Sequence, residues 1–318
     1  MPDKSLIFIF LDGVGISGER EETNPFRLLA SELIPFYFPI QKVVGLPFRL
    51  KAIDAVFGVP GIPQSGSGQT TLFTGIPYPR ISGEHSGSYP TREMRRLLSE
   101  HNLLKQVIAK GHRARFFNAY PYHADLFQPP HLSLDESGTV HFSQDFPTPF
   151  RRRISATTVM MLSIGQKPSS EQDIQREQSL YQDFSNRSLI ARGADLPELS
   201  PKQAGTILGR AGSALPGLTL YEFFLSDQTG HRGRLDDAVT LVRELEVFVS
   251  AVCTALDPNR HAVLICSDHG NIEEMDHPGH SRNPVPLWVW GHRRNVIADR
   301  IESIADVTPS IVRYFEED

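Results

Sequence analysis

The chain reads as an α/β protein: a mostly parallel central sheet flanked by helices, with a small region inserted into it. Three observations predict this. Three near-continuous apolar runs each lead to an aspartate: SLIFIF (5–10) to Asp12, TLYEFFLS (219–226) to Asp227, and HAVLICS (261–267) to Asp268. Amphipathic stretches with helical spacing lie between and after these runs. Through the middle, from about Pro121 to Pro216, the periodicity weakens and polar, proline-rich pieces such as FQPPHLSLDESG take over.

Each element follows from its residues. Apolar runs of this length suit strands buried on both faces, as in a parallel sheet. After the first run comes PGIPQSGSGQTTLFTG (60–75), a glycine- and serine-rich turn expected to lead into a helix at QTTLF. TREMRRLLSEHNLLKQVIAKG (91–111) carries leucines at helical spacing and stops at Gly111, which predicts a helix. RARFFNAY (113–120) reads as a further strand. RLDDAVTLVRELEVFVSAVCTAL (234–256) opens on acids, which suit a helix N-terminus, and is amphipathic. DVTPSIVRYFEED (306–318) reads as the last helix, with Asp306 as its cap. The expected organisation is a core formed by residues 1–120 and 215–318. Residues 121–214 are expected as an inserted cap and substrate region over the carboxyl edge of the sheet.

Composition narrows the function classes. The chain has 318 residues, 40% of them hydrophobic, which is enough for a sizeable core. A net charge of -5 lacks the basic footprint of a nucleic-acid partner. The two cysteines, Cys253 and Cys266, lie in apolar surroundings, so buried free thiols in a reducing compartment are expected. The run LIFIFL is too short for a signal-peptide core or a membrane span, and a cytoplasmic protein with no membrane partner is expected.

In open parallel sheets ligands bind outside the carboxyl ends of the strands, so acids at three strand ends converge on one site. SDQTGHRG (226–233) places Asp227 and His231 four apart, side by side on one helical turn, a spacing that suits two ligands of one metal. SDHG places Asp268 and His269 at a strand end, where neighbouring side chains diverge. Two adjacent metals, rather than one, account for both pairs. His280, in HSRNPVP, adds an imidazole and Asp12 a carboxylate. Mixed carboxylate and imidazole donors fit zinc, manganese or iron, and the absence of thiolates argues against a structural zinc knuckle. At 60–75, backbone N–H groups at a helix start favour an anion such as phosphate, and a hydroxyl there could attack once a divalent metal lowers its pKa. A plain glycine-rich turn is the alternative. Arg151, Arg152 and Arg153 are either a phosphate grip or a solvated face.

These motifs together resemble the alkaline phosphatase superfamily, and within it the cofactor-independent phosphoglycerate mutase and phosphopentomutase branch. The resemblance rests on FLDGVG, SDQTGHRG, SDHGNIEEM and HSRNPVP, with DVTPSI near the C-terminus. It implies an alkaline phosphatase-like core and two divalent metal ions, manganese or zinc. Asp12, Asp268 and His269 match the ligands of one metal, and Asp227, His231 and His280 those of the other. The family's spacing sets a glycine ten residues after the attacking hydroxyl. Counted back from Gly75, that is Ser65, which would also touch the metals; Ser67 and Thr70 are the runners-up. Glu273 and Glu274 are expected to orient ligands or cap a turn, and His277 has no counterpart in the pattern.

The mutases carry Gly-His after the nucleophile, where this chain has Gly68-Gln69. The insert is also shorter than the second domain of phosphoglycerate mutase. The resemblance therefore implies phosphoryl transfer on a small phosphate ester through a phospho-serine, with a hydrolase (phosphatase or phosphodiesterase) favoured over a phosphosugar or phosphoglycerate mutase. A non-catalytic metal-binding relative is a further alternative. A sulfatase-like reading fails on the sequence, because neither the proline nor the arginine of C/S-x-P-x-R follows Ser65.

Overall fold

The computed structural model describes residues 4–18, 22–40, 47–136 and 138–317. Its strands, in chain order, are Ser5–Leu11 (β1), Phe48–Ile53 (β2), Ala114–Phe116 (β3), Leu132–Leu134 (β4), Val140–Phe142 (β5), Gly217–Phe223 (β6), His261–Ser267 (β7) and Val285–Gly291 (β8). Six form the central sheet in the order β2-β8-β7-β1-β6-β3, and β4 and β5 make a separate hairpin. β1 runs parallel to both β6 and β7, and β3 parallel to β6. β8 is antiparallel to β7 and to β2. The sheet is thus mostly parallel and flanked by helices. The three acid-bearing strands are its centre, and they end level, with Leu11 facing Phe223 on one side and Ser267 on the other.

The apolar runs lack alternation because both faces are covered. Leu6, Phe8 and Phe10 join one core with Leu72, Phe73, Leu98 and Ile311. Ile7, Ile9 and Leu11 join the other with Leu208, Val242, Leu245 and Phe248. Phe10 meets Phe73 edge-on, ring centroids 5.2 Å apart. Truncating such a fully buried ring to alanine costs about 3–5 kcal/mol. The amphipathic stretch at 234–256 forms the helix Leu235–Thr254, whose buried face supplies Val242, Leu245, Phe248 and Val249. Cys253 and Cys266 are free and buried. Among the described residues no helix is long and apolar enough to cross a membrane.

Several elements differ from expectation. The stretch 91–111 is two helices, Arg92–His101 and Leu103–Ala109. Asn102 between them has extended dihedrals. Its amide donates to Leu98 O (2.7 Å) while its side-chain oxygen accepts from Lys105 N (3.1 Å), so one residue closes the first helix and opens the second. The strand at 113–120 shortens to β3. Asp306 accepts from the Ser303 N–H (2.9 Å) and so closes the turn that precedes the last helix, Val307–Glu316, without a side-chain cap bond to that helix. Within 121–214, the helix Ala156–Ser163 packs on Arg92–His101 and β3, and Pro201–Ala214 packs on Leu235–Thr254 and β1. The stretch expected as an insert therefore supplies two of the helices that flank the sheet.

Candidate metal centre

The helix carrying Ser65 begins four residues before the expected start at Gln69: it spans Ser65–Thr74, so SGSG is its first turn and not a loop before QTTLF. The whole helix is buried. Small residues are required there. A Cβ on Gly68 would stand 2.9 Å from the Asp268 carbonyl oxygen. The expected cradle of free N–H groups is corrected: Gly66 N donates to Gly87 O (2.6 Å) and Ser67 N to Ser86 O (3.1 Å). Ser67 and Thr70 hydroxyls turn back to the backbone, at Gln64 O and Gly66 O. The Ser65 hydroxyl instead stands 3.0 Å from His269 Nε2.

The other residues come from the ends of β1, β6 and β7. Asp12 follows β1, and Asp268 and His269 follow β7. Asp227 and His231 share one side of the helix Leu225–Arg232, with His231 Nε2 3.3 Å from Asp227 Oδ2. His280 enters just before β8, which is antiparallel and therefore starts at the same sheet edge. Two groups have donor atoms close enough to share an ion: Asp12, Asp268 and His269, and Asp227, His269 and His280. His231 adjoins the second group, its Nε2 3.2 Å from His280 Nε2. The His269 and His280 rings stack with centroids 3.8 Å apart, so the two groups form one cluster. His277 is exposed and lies in neither group.

The electrostatics of this cluster fit cations. Burial pushes the Asp12 carboxyl well above its ordinary range, and the charge of Asp268 pushes it further. Burial likewise raises Asp268, with Asp227 adding to it. Burial works against ionised Asp227 too, but hydrogen bonds from His280 and Asn271 and the charge of His269 outweigh it, bringing that carboxyl to about 2. Burial alone would lower His269; the carboxylates of Asp268, Asp12 and Asp227 overcome it and push the imidazole up to about 10. A buried imidazolium among three carboxylates is positive charge supplied by a proton, and a divalent cation supplies the same compensation. Asp12 Oδ1 is buried and makes no hydrogen bond, although His269 Nε2 lies 3.3 Å away. It is a free oxygen donor pointing into the cluster. His280 Nδ1 stands 2.8 Å from Pro63 O, which fixes the ring so that Nε2 faces His231 and Asp227. The donor set, oxygen and imidazole nitrogen with no sulfur, fits zinc or manganese.

Supporting residues complete the arrangement. The Gln69 amide donates to Asp12 Oδ2 (3.3 Å) and Asp268 Oδ2 (3.1 Å), bridging the two carboxylates. Asn271 Nδ2 donates to Asp227 Oδ1 (2.6 Å). Glu273 accepts from Gly15 N (2.8 Å), Asn271 N (2.7 Å) and Asn283 Nδ2 (3.0 Å), and from the Ser281 hydroxyl. It ties the loops after β1 and β7 to the segment before β8, as a turn-capping and not a coordinating carboxylate. Gly13, with φ of 67°, sits where a Cβ would collide with Asp227. Gln69 and Asn271 escape a sequence reading because their roles depend on partners 57 to 199 and 44 residues away.

Residues 217–318 match the family model of the Metalloenzyme superfamily. The chain is 34% identical to the 2,3-bisphosphoglycerate-independent phosphoglycerate mutase of Pseudomonas putida over 94 residues, 27% of this chain and 18% of that protein. It is 37% identical to the mutase of the same description from Cellvibrio japonicus over 93 residues, again 27% and 18%. The match thus spans 18% of the length of each mutase. Among solved structures, alkaline phosphatase from the Antarctic bacterium TAB5 superposes with a TM-score of 0.53 at 13% identity, covering 99% of both chains, a likeness of fold. The C-terminal third of the chain thus matches a metalloenzyme family, a stretch of under 100 residues is similar to cofactor-independent phosphoglycerate mutases, and the whole shares the fold of an alkaline phosphatase.

Proposed function

We propose that the protein is a two-metal-dependent phosphoryl-transfer enzyme that acts on a small phosphate ester through a phospho-serine at Ser65. The observation that carries this is the position of the Ser65 hydroxyl. It is the one hydroxyl of the SGSGQT turn that faces the carboxylate and imidazole cluster, at 3.0 Å from His269 Nε2. Asp12, Asp268 and His269 would hold one ion, and Asp227, His231 and His280 the other. When bound, the ions supply positive charge for the attacking oxygen and for the phosphoryl oxygens. The chain's own residues do the positioning. His269 Nε2 keeps Ser65 Oγ on the helix side that faces Asp12 and Asp268, and Gln69 holds those two carboxylates in place.

Hydrolysis is the favoured outcome. The amide of Gln69 stands where the mutases carry an imidazole, and both its donor contacts go to carboxylates, so it offers no titratable group beside Ser65. The 94-residue match to phosphoglycerate mutases supports the second reading, an intramolecular mutase. A generic aryl phosphate and an aryl phosphodiester, assayed with manganese and with zinc beside metal analysis, test the proposal. About two metals per chain and turnover abolished by Ser65→Ala are expected. Turnover surviving in Ser65→Ala sinks the nucleophile. Two metals without phosphate release from either ester, in a protein that interconverts phosphate positions on an acceptor, replaces the hydrolase with the mutase.

A further inference from the structure

A second concentration of charge lies away from the metal centre. Arg92, Arg95 and Ser99, on one side of the Arg92–His101 helix, wall a cavity of about 750 Å³. Val140 and Phe142 of β5 and Arg151, from the helix Thr148–Arg152, close it from the other side. None of the candidate metal ligands lines it.

The cavity's charges are unevenly answered. Arg96 pairs with Glu100 (3.2 Å), His141 with Asp135 (2.8 Å), and Glu93 accepts from the Tyr78 hydroxyl (3.2 Å). Among the described residues no carboxylate pairs with Arg92, Arg95 or Arg151. Arg151 spends one Nη2 on Ser143 O (2.7 Å), while its Nε is buried with no hydrogen-bond partner. Its neighbours Arg152 and Arg153 are exposed, so Arg151 alone of that basic run faces inward. Burial lowers the Arg95 guanidinium below its ordinary value, and the charges of Arg151 and Arg92 push the same way. Like charges held together in a half-buried space repel one another, and an oxyanion among them removes that repulsion while filling open guanidinium donors.

We propose that this cavity is a second, anion-binding site that takes a small phosphate-bearing molecule, its phosphate held by Arg92, Arg95 and Arg151 and its apolar part by Val140 and Phe142. The site is separate from the metal centre and does not depend on it.

Calorimetric titration of inorganic pyrophosphate tests this, on the wild-type chain and on Asp12→Asn/Asp268→Asn, which disables the metal centre. Binding that persists in the double variant is expected. In that background, Arg95→Ala and Arg151→Ala should each weaken it at least about tenfold, as loss of a charge-assisted contact does. Arg92→Glu guards against a folding artefact, because its side chain is exposed, and should weaken binding by a similar factor with an unchanged melting temperature. Absence of pyrophosphate binding at millimolar concentration, or binding indifferent to all three substitutions, overturns the site. Binding lost in Asp12→Asn/Asp268→Asn returns it to the metal centre. Citrate bound more tightly than pyrophosphate overturns the phosphate class.

Discussion

The two halves of the candidate metal centre use the same donor types at different depths. In one half, the side chains of Asp268 and His269 are fully buried and Asp12 nearly so. In the other, His280 is covered as deeply as Asp12 and Asp227 a little less, while His231 is 48% exposed. The difference follows from how each is carried. The enclosed ligands continue directly from β1 and β7, strands covered on both faces. Asp227 and His231 ride on a short helix beyond the end of β6, with one side open to solvent. Depth decides what holds the charges together. In the enclosed half, carboxylates lose their water, so Gln69, the Gly13 N–H and the His269 proton must answer them. In the open half, water and Asn271 do part of that.

The largest expected effect is in the enclosed half. Asp268→Ala removes a buried candidate ligand and several kcal/mol of charge stabilisation, so turnover of an aryl phosphate should fall about a thousandfold, with metal content below two per chain. An equal loss from His231→Ala would break the distinction of depth.

A buried carboxyl outside the centre sharpens the comparison. Glu222 of β6 is fully buried and is hydrogen-bonded by the hydroxyls of Tyr120 and Thr157. Burial pushes its carboxyl up, and although those hydroxyls pull it back, it rests at about 7 against an ordinary 4.5. Since the folded value is raised, its contribution to stability is whole below pH 4.5 and is lost as pH rises through 7, amounting to about 3 kcal/mol. Glu222→Gln should therefore flatten the fall in melting temperature between pH 5 and pH 8. An unchanged pH profile in that variant would mean that the hydroxyls hold Glu222 ionised.

Smaller effects follow at the supporting residues. Gln69→Ala leaves Asp12 and Asp268 without their bridging amide and should cost about 10- to 100-fold in metal affinity or turnover, as such orienting contacts do elsewhere. His231→Ala, at the exposed rim, should weaken one metal by about tenfold and leave the other in place, read by chelator titration of metal content. Loss of both metals together would show that the halves act as one unit.

Much of this was legible in the residues. Continuous apolar runs announce strands covered on both faces, and each such run ended where an acid begins. The Asp227 and His231 spacing is a local property of a helical turn, and the buried thiols follow from their apolar neighbours. Other features were legible only in part. The 60–75 turn was visible, but the helix start at Ser65 was not, because small residues with poor helix propensity become helical there under burial against Asp268 and the 86–89 loop.

By itself, then, the sequence determined the parallel-sheet class, the strand ends that carry acids, and the residue types of a metal site. Only the tertiary structure decided which of them meet. The order β7-β1-β6 brings Asp12, Asp227 and Asp268 together across more than two hundred residues of chain, and the antiparallel β8 delivers His280 to the same edge. Gln69 bridging two carboxylates and Arg151 facing Arg95 are of the same kind. Periodicity records only the environment of each segment, whereas strand order and helix docking depend on contacts between distant segments that no local spacing encodes.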